Sequence, residues 1–304
     1  MSLIALDWGT TSLRAYLLDS NGNVLDKKSA LLGILKVPNN DFDTAFEDTC
    51  GSWLKNGREA SPILASGMIG SRQGWTEAPY VACPAGAEQL AQKLIHITTK
   101  KLRKFAIVPG ISTENSTAVP DVMRGEETQI IGALDDETSS HLFVLPGTHS
   151  KWARVEQNQI VQFATFMTGE VFALLCEHSI LGRTMQGRDD DVDAFRRGCD
   201  YALTQAINTA GLLQLMFSAR TLALFNRVPA TGLYSYLSGL LIGSEILGSQ
   251  ALFGEHHLVT IIAEPDLARL YQRALSVAQQ RANIAAETTT PTGLFRLARA
   301  SGMI

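Results

Sequence analysis

The sequence predicts an α/β protein of two similar domains, and three observations carry that prediction. A strand–polar turn–strand–turn–strand unit opens near residue 3, the same unit opens again near residue 141, and helical patterns follow each copy. A chain of 304 residues is long for one core and comfortable for two. Hydrophobic residues make up 45% and charged residues 18%, a globular composition with enough apolar matter to fold.

The first copy starts with the apolar run 3–7, which ends at Asp7. Trp8-Gly9-Thr10-Thr11 is a polar turn, 12–19 a second strand, Asn21-Gly22 a hairpin turn and 24–32 a third strand. A helix is predicted over 43–56, with Phe46, Trp53 and Leu54 as its apolar positions. The strand 62–66 runs into Gly67-Met68-Ile69-Gly70. Residues 86–98 read as helix, 105–108 as a strand closed by Pro109-Gly110, and 122–135 as helix.

In the second copy 141–145 is a strand, Pro146-Gly147-Thr148-His149-Ser150 a turn, 151–155 a strand and 160–166 a third strand. Helices follow over 170–182, 190–210, 213–225 and 230–251. A strand is predicted at 258–263, a helix at 267–280, a strand at 282–286 and a helix at 291–300. The polar stretch 135–140 is the weakest joint, so domains are expected at 1–136 and 137–304.

Several functions are disfavoured at this level. A net charge of -4 lacks the basic excess of a nucleic-acid binder. The first residues reach Asp7 without a basic n-region, so a signal peptide is not expected. The apolar stretch 233–247 is interrupted by Ser235, Ser238, Gly239, Gly243, Ser244 and Glu245, too often for a membrane span. Cys50, Cys83, Cys176 and Cys199 show no metal-ligand spacing, which fits free thiols in the cytoplasm. The oligomeric state stays open, a homodimer being one alternative.

A duplicated three-stranded meander followed by helices is the plan of two ribonuclease H-like (actin-like ATPase) domains facing each other across a nucleotide-binding cleft. In that plan the first hairpin of each domain presents a small, hydroxyl-rich turn to phosphate oxygens. Gly9-Thr10-Thr11-Ser12 and Gly147-Thr148-His149-Ser150-Lys151 meet that need. Asp7, just before the first turn, would repel bare phosphate and becomes useful with Mg²⁺ between, held through water.

Four segments make a more specific resemblance. Residues 6–17 (Leu-Asp-Trp-Gly-Thr-Thr-Ser-Leu-Arg-Ala-Tyr-Leu), 66–75 (Ser-Gly-Met-Ile-Gly-Ser-Arg-Gln-Gly-Trp), 123–129 (Met-Arg-Gly-Glu-Glu-Thr-Gln) and 145–152 (Leu-Pro-Gly-Thr-His-Ser-Lys-Trp) resemble the 2-dehydro-3-deoxygalactonokinase family. The resemblance implies transfer of the ATP γ-phosphoryl group to the 6-hydroxyl of 2-dehydro-3-deoxy-D-galactonate, giving ADP and the 6-phosphate in galactonate breakdown. In the wider sugar-kinase family a Gly-Asp-Gln segment opens a helix before the second phosphate turn. Gly125-Glu126-Glu127-Thr128-Gln129 stands in the similar place, which implies Glu126 as the base, with Asp121 as the alternate. Both Glu126 and Glu127 also suit the first turn of a helix.

An acidic acceptor needs a cation. Arg72, beside Ser71 and Trp75, is the candidate for its carboxylate, with the Trp75 face available to carbon atoms. Thr168 and Glu170 are further substrate candidates. Ala263-Glu264-Pro265 stands where this fold usually has a Gly-Gly turn for adenosine. Gly239 and Gly243 allow close approach, to a nucleotide or to a neighbouring helix. Lys151 suits phosphate neutralisation and also the start of an outward-facing strand, and His149 is read first as structural. Asp189, Asp190, Asp191 and Asp193 are read as a solvated helix start rather than a metal site. Two rival readings remain: a kinase of another sugar or sugar acid, and a non-enzymatic actin-like nucleotide-dependent binding protein.

Overall fold

A computed structural model describes residues 2–55, 57–114, 118–134, 140–205, 211–254 and 258–304. The architecture grows from one strand. β1 (Leu3–Trp8) is buried at all six residues, as a continuous apolar run is when both faces of its sheet are covered. β2 (Leu13–Leu18) pairs antiparallel with β1, and β3 (Val24–Ala30) antiparallel with β2. β3 is the sheet edge, largely exposed, and its Lys27 and Lys28 discourage pairing with another chain. α1 (Phe42–Cys50) is capped by Asp41, whose carboxylate accepts the Thr44 N–H at 3.2 Å. β4 (Ile63–Ser66) then returns parallel to β1, with Ser66 opposite Asp7.

The chain continues through β5 (Tyr80–Ala82), α2 (Ala87–Ala91), β6 (Ile95–Thr98), β7 (Lys104–Ile107), β8 (Gly110–Glu114), β9 (Pro120–Met123) and α3 (Glu126–Ala133). The larger sheet has the order β3-β2-β1-β4-β7-β6 and a small one the order β5-β8-β9. The plan then repeats with β10 (Ser140–Leu145), β11 (Ser150–Glu156) and β12 (Gln159–Phe166). α4 (Thr168–His178), α5 (Val192–Gln205), α6 (Gly211–Met216), α7 (Ser218–Leu224) and α8 (Leu233–Phe253) follow. β13 (Leu258–Ile261), α9 (Pro265–Val277), β14 (Arg281–Ile284) and α10 (Thr289–Ala300) complete the chain. The second sheet has the order β12-β11-β10-β13-β14, with β13 parallel to both neighbours. Each large sheet thus runs from the third strand of a meander, through its first strand, to parallel strands reached by crossovers, and the first sheet adds β6 antiparallel to β7 at its edge.

Two compact units result. The first comprises Met1–Ser140, Val155–Phe163 and Ala286–Ile304, and the second His141–Arg154 and Ala164–Ala285. The expected single break after residue 136 differs from this division, because two later segments return to the first unit. The polar stretch proposed as the joint lies, at 135–139, outside the described residues. α10 joins the first unit because its backbone touches that of α3. A Cβ on Gly132 would lie 1.8 Å from Thr289 O, and one on Gly293 1.9 Å from Thr128 O. Arg296 Nη1 donates to Ile131 O at 2.6 Å and Leu134 O at 2.8 Å, satisfying carbonyls at the end of α3.

Other expectations are corrected by local chemistry. The predicted helix 86–98 ends at Ala91, and Ile95–Thr98 is strand β6. Its Ile-His-Ile-Thr alternation, half-buried then exposed, is a period-two signal that outweighs the helical pattern before it. The predicted helix 122–135 begins only at Glu126, after the strand β9. The end of the predicted helix 190–210 lies, from 206, outside the described residues. Gly239 and Gly243 serve helix packing: a Cβ on Gly239 would lie 2.0 Å from Phe195 O, and one on Gly243 3.0 Å from Ala202 Cβ. Among the described residues no helix is long and apolar enough to cross a membrane.

The α3–α10 contact leaves no room for a methyl group. Gly293→Ala is expected to cost about 2 kcal/mol or more and to lower Tm by about 5 °C or more in differential scanning fluorimetry. An unchanged Tm would show that the two helices do not touch at this point.

Candidate active site

The first candidate turn follows directly from β1 and β2. Gly9 N–H donates to Ser12 O at 2.9 Å, closing a tight bend that leaves Thr10 and Thr11 exposed. The segment after β3 braces it: Ile34 N–H donates to Gly9 O at 3.0 Å and Leu35 N–H to Thr10 O at 3.3 Å. Trp8 Nε1 donates to Leu32 O at 2.7 Å and so holds the same segment from the interior. The bend is therefore rigid behind and open in front. Asp7 ends β1 almost fully buried, with Arg14 Nη2 2.9 Å from its Oδ2. The two face each other across the β1–β2 pair. Burial pushes the Asp7 carboxyl above the usual range, and the Arg14 guanidinium works against that shift.

Gly67 brings this strand end to the start of α3. It has φ +92°, which a side chain rarely tolerates, and a Cβ there would lie 2.9 Å from Trp8 O and 3.5 Å from Asp7 Oδ1. On its other side a Cβ on Gly125, itself at φ +107°, would lie 3.2 Å from Gly67 Cα. Gly125 is the N-cap of α3. Glu126 Oε2 accepts the Arg124 N–H at 3.0 Å, and Glu127 Oε2 accepts the Gly125 N–H at 2.7 Å. Both acids thus satisfy backbone donors at the helix start. They differ in exposure: Glu126 is half-buried, whereas Glu127 is fully buried and also accepts the Thr128 hydroxyl at 3.0 Å. Burial, reinforced by the neighbouring Glu126 charge, pushes the Glu127 carboxyl up to about 7. Asp121 lies on β9 opposite Thr113, its carboxylate accepting the Val122 N–H at 2.7 Å.

The second turn is built on β10 and β11. Thr148 and His149 are exposed, but Ser150 and Lys151 are buried. Ser150 Oγ donates to Glu245 Oε1 at 2.6 Å, and Lys151 Nζ donates to Thr165 Oγ1 at 2.9 Å. Lys151 is thus turned inward, against the outward orientation considered from sequence. The start of α4 closes the turn: Glu170 N–H donates to Thr148 O at 3.0 Å, and the Glu170 carboxylate pairs with His149 Nε2. Glu170 and Thr168, proposed as substrate contacts, therefore sit against this turn. Ala263-Glu264 lies between β13 and α9, with Pro265 as the first residue of that helix.

The substrate candidates at 71–75 separate. Arg72 is strongly exposed, with Glu77 at 3.7 Å. Trp75 packs its ring against Phe42, Trp8 and Phe105, so its faces belong to the core rather than to a ligand. Ser71 Oγ is buried without a hydrogen-bond partner among the described residues. Sequence reasoning passed over Arg124, a nearly buried guanidinium lying 4.5 Å over Tyr80 and donating through Nη2 to Ala78 O at 2.8 Å. It holds the 67–78 loop against α3. Glu245 was also passed over; its signal, an acid inside an apolar pattern, is shared with ordinary helix positions, and Glu127 was read as suiting the first turn of a helix. In the acidic run Asp190 pairs with Arg273, and the Asp191 carboxylate accepts the Ala194 N–H at 2.9 Å.

Comparison with known proteins adds what geometry alone does not. Residues 7–297 match the family model described as 2-keto-3-deoxy-galactonokinase. The 2-dehydro-3-deoxygalactonokinase of Escherichia coli (strain K12) is 32% identical over 298 residues, covering 98% of this chain and 97% of that protein. A protein of Rhizobium meliloti (strain 1021) described as a probable 2-dehydro-3-deoxygalactonokinase is 35% identical over 305 residues, covering 97% and 96%. A crystal structure from Sinorhizobium meliloti, provisionally described as the same kinase, superposes with TM-score 0.88 at 33% identity over 98% of both chains. The activator of 2-hydroxyisocaproyl-CoA dehydratase from Clostridium difficile, with bound ADPNP, shares the fold at TM-score 0.50 and 9% identity, covering 100% of this chain and 97% of that one.

The buried Glu127 has a sign-definite consequence. Its folded value near 7 lies above its ordinary 4.5, so the folded protein holds the extra proton between those values. The stability this contributes is complete below about 4.5 and is lost as pH rises through 7. Glu127→Gln, which keeps an acceptor for the Gly125 N–H, reverses the bond to the Thr128 hydroxyl and removes the charge, is expected to gain up to about 3 kcal/mol on wild type between pH 4.5 and pH 8. Chemical denaturation at both pH values measures this, and a pH-independent difference would refute it.

Proposed function

The chain belongs to the 2-keto-3-deoxy-galactonokinase family, and is on that premise an ATP-dependent kinase of 2-keto-3-deoxygalactonate in galactonate catabolism; we propose that it phosphorylates the 6-hydroxyl with the following division of roles. The observation that carries the reading is the first turn, an open bend of exposed hydroxyls on a strand pair buried everywhere but at Arg14, with the Asp7 carboxylate behind it and the start of α3 beside it. Thr10, Thr11 and Ser12 offer N–H and O–H donors to phosphate oxygens on the bend that Gly9 N–H closes, with Gly9 itself leaving room for close approach. Gly147, Thr148 and His149 do the same in the second unit, with Ser150 and Lys151 as internal supports. Ala263, Glu264 and Pro265 are assigned to the adenosine end.

Mg²⁺ fits what is present. Asp7 is one hard-oxygen ligand, and an ion that keeps most of its waters and takes other ligands from phosphate needs few protein groups. Asp7 would hold it through water, and the ion would neutralise phosphate charge. Glu126, half-buried at the mouth of α3, accepts the 6-hydroxyl proton as the oxygen bonds to the γ-phosphorus. The bond from that phosphorus to the bridging oxygen breaks, and ADP carries the electron pair away. Arg72, Ser71, Thr168 and Glu170 remain proposed contacts for the sugar acid. The four free thiols suit the reducing cytoplasm we assign to it.

The test supplies Mg-ATP with individual 2-keto-3-deoxy acids and other sugars and measures ADP. Turnover is expected with 2-keto-3-deoxygalactonate; equal turnover with unrelated sugars would overturn the substrate. Asp7→Asn and Glu126→Gln are each expected to lower kcat by about 10²-fold or more with the folded circular-dichroism spectrum retained. Full activity of Glu126→Gln beside an inactive Asp121→Asn would move the base to Asp121.

A further inference from the structure

Glu245 lies in the middle of α8 and is 2% exposed. Its two oxygens receive Ser150 Oγ at 2.6 Å, Trp152 Nε1 at 2.8 Å and Tyr271 O–H at 2.7 Å. The Thr168 side chain donates a fourth hydrogen bond. An ionised carboxylate is acceptor-only and has room for about four donors, whereas an indole N–H can only donate. All four groups donate here, which a carboxylate accepts as it stands, whereas an amide would have to reverse the hydroxyl bonds at its nitrogen.

The placement of the donors matters more than their number. Ser150 is the residue after the exposed Thr148-His149 pair, so it fixes the strand side of the second turn. Thr168 opens α4, whose Glu170 holds Thr148 O and His149 from the other side. Trp152 anchors the same carboxylate to β11, and Tyr271 anchors it to α9 while its hydroxyl also lies 3.5 Å from Ser150 Oγ. We propose that Glu245 is a positioning residue for ATP, setting the spacing between the 147–151 turn and the start of α4 by hydrogen-bonding both walls at once. This rests on the reading of that turn as a nucleotide phosphate site.

A purely structural role would lower stability and leave the folded enzyme's kinetics alone. A positioning role changes KM for ATP and spares KM for the sugar acid. Steady-state kinetics well below Tm on the full chain distinguish the two. Glu245→Gln and Ser150→Ala are each expected to raise KM for ATP about tenfold, with KM for 2-keto-3-deoxygalactonate changed less than about twofold. Glu245→Asp should recover part of the loss. Trp152→Phe removes the indole donor to the same carboxylate and keeps the Ser150 and Thr168 bonds, and should lower Tm while leaving KM for ATP within about twofold.

If Glu245→Gln does not fold, Ser150→Ala against Trp152→Phe still decides. Equal effects of those two on KM for ATP, or none from Ser150→Ala, would overturn the proposal. Thr148→Ala separates the underlying reading: a raised KM for ATP there with an unchanged value in Ser150→Ala refutes only the positioning role. An unchanged KM in Thr148→Ala refutes both.

Discussion

A bend that receives phosphate must keep donors facing water unpaired, and it stays in shape only if everything behind it is buried and paired. Both candidate turns are built to that constraint. Gly9 to Ser12 spring from a strand with no exposed residue and are braced by Ile34, Leu35 and Trp8. Thr148 and His149 stand in front of Ser150 and Lys151, whose polar ends are turned inward onto Glu245 and Thr165. The exposed half of each turn can be polar because the hidden half is fully satisfied.

Three acids are buried along the way, and each is accommodated differently. Asp7 sets its charge against Arg14 on the partner strand. Glu245 is surrounded by donors from four side chains. Glu127 accepts from its own and the Gly125 backbone N–H and from the Thr128 hydroxyl, with Glu126 as a like-charged neighbour, and its carboxyl shifts toward neutrality. Burial raises the cost of charge in all three; the number of donors and the sign of the nearest charge decide how far each gives way.

Glycine does comparable work where backbones meet. Gly67 and Gly125, both at positive φ, let the end of β1 approach the start of α3, which places the Asp7 carboxylate and the Glu126 region in one part of the first unit. Gly132 and Gly293 let α10 lie directly on α3. That contact draws the last helix into the first unit, against the division expected from the linear order of elements.

The sequence by itself determined the repeated meander, the two hydroxyl-rich turns and the family. These rest on local information: apolar runs of strand length, Asn21-Gly22, and ordered motifs such as Gly9-Thr10-Thr11 and Arg124-Gly125-Glu126-Glu127. It also placed Asp7 before its turn. Tertiary structure alone decided which side chains face outward: Trp75 was drawn into the core, Lys151 was turned inward, and Arg124 rather than Arg72 became the enclosed guanidinium. It alone decided that α10 crosses back to the first unit and that Glu245 meets Ser150, 95 residues away. The physical reason is that orientation and partnership depend on what packs against a residue from elsewhere in the chain, and local periodicity carries no record of that neighbour.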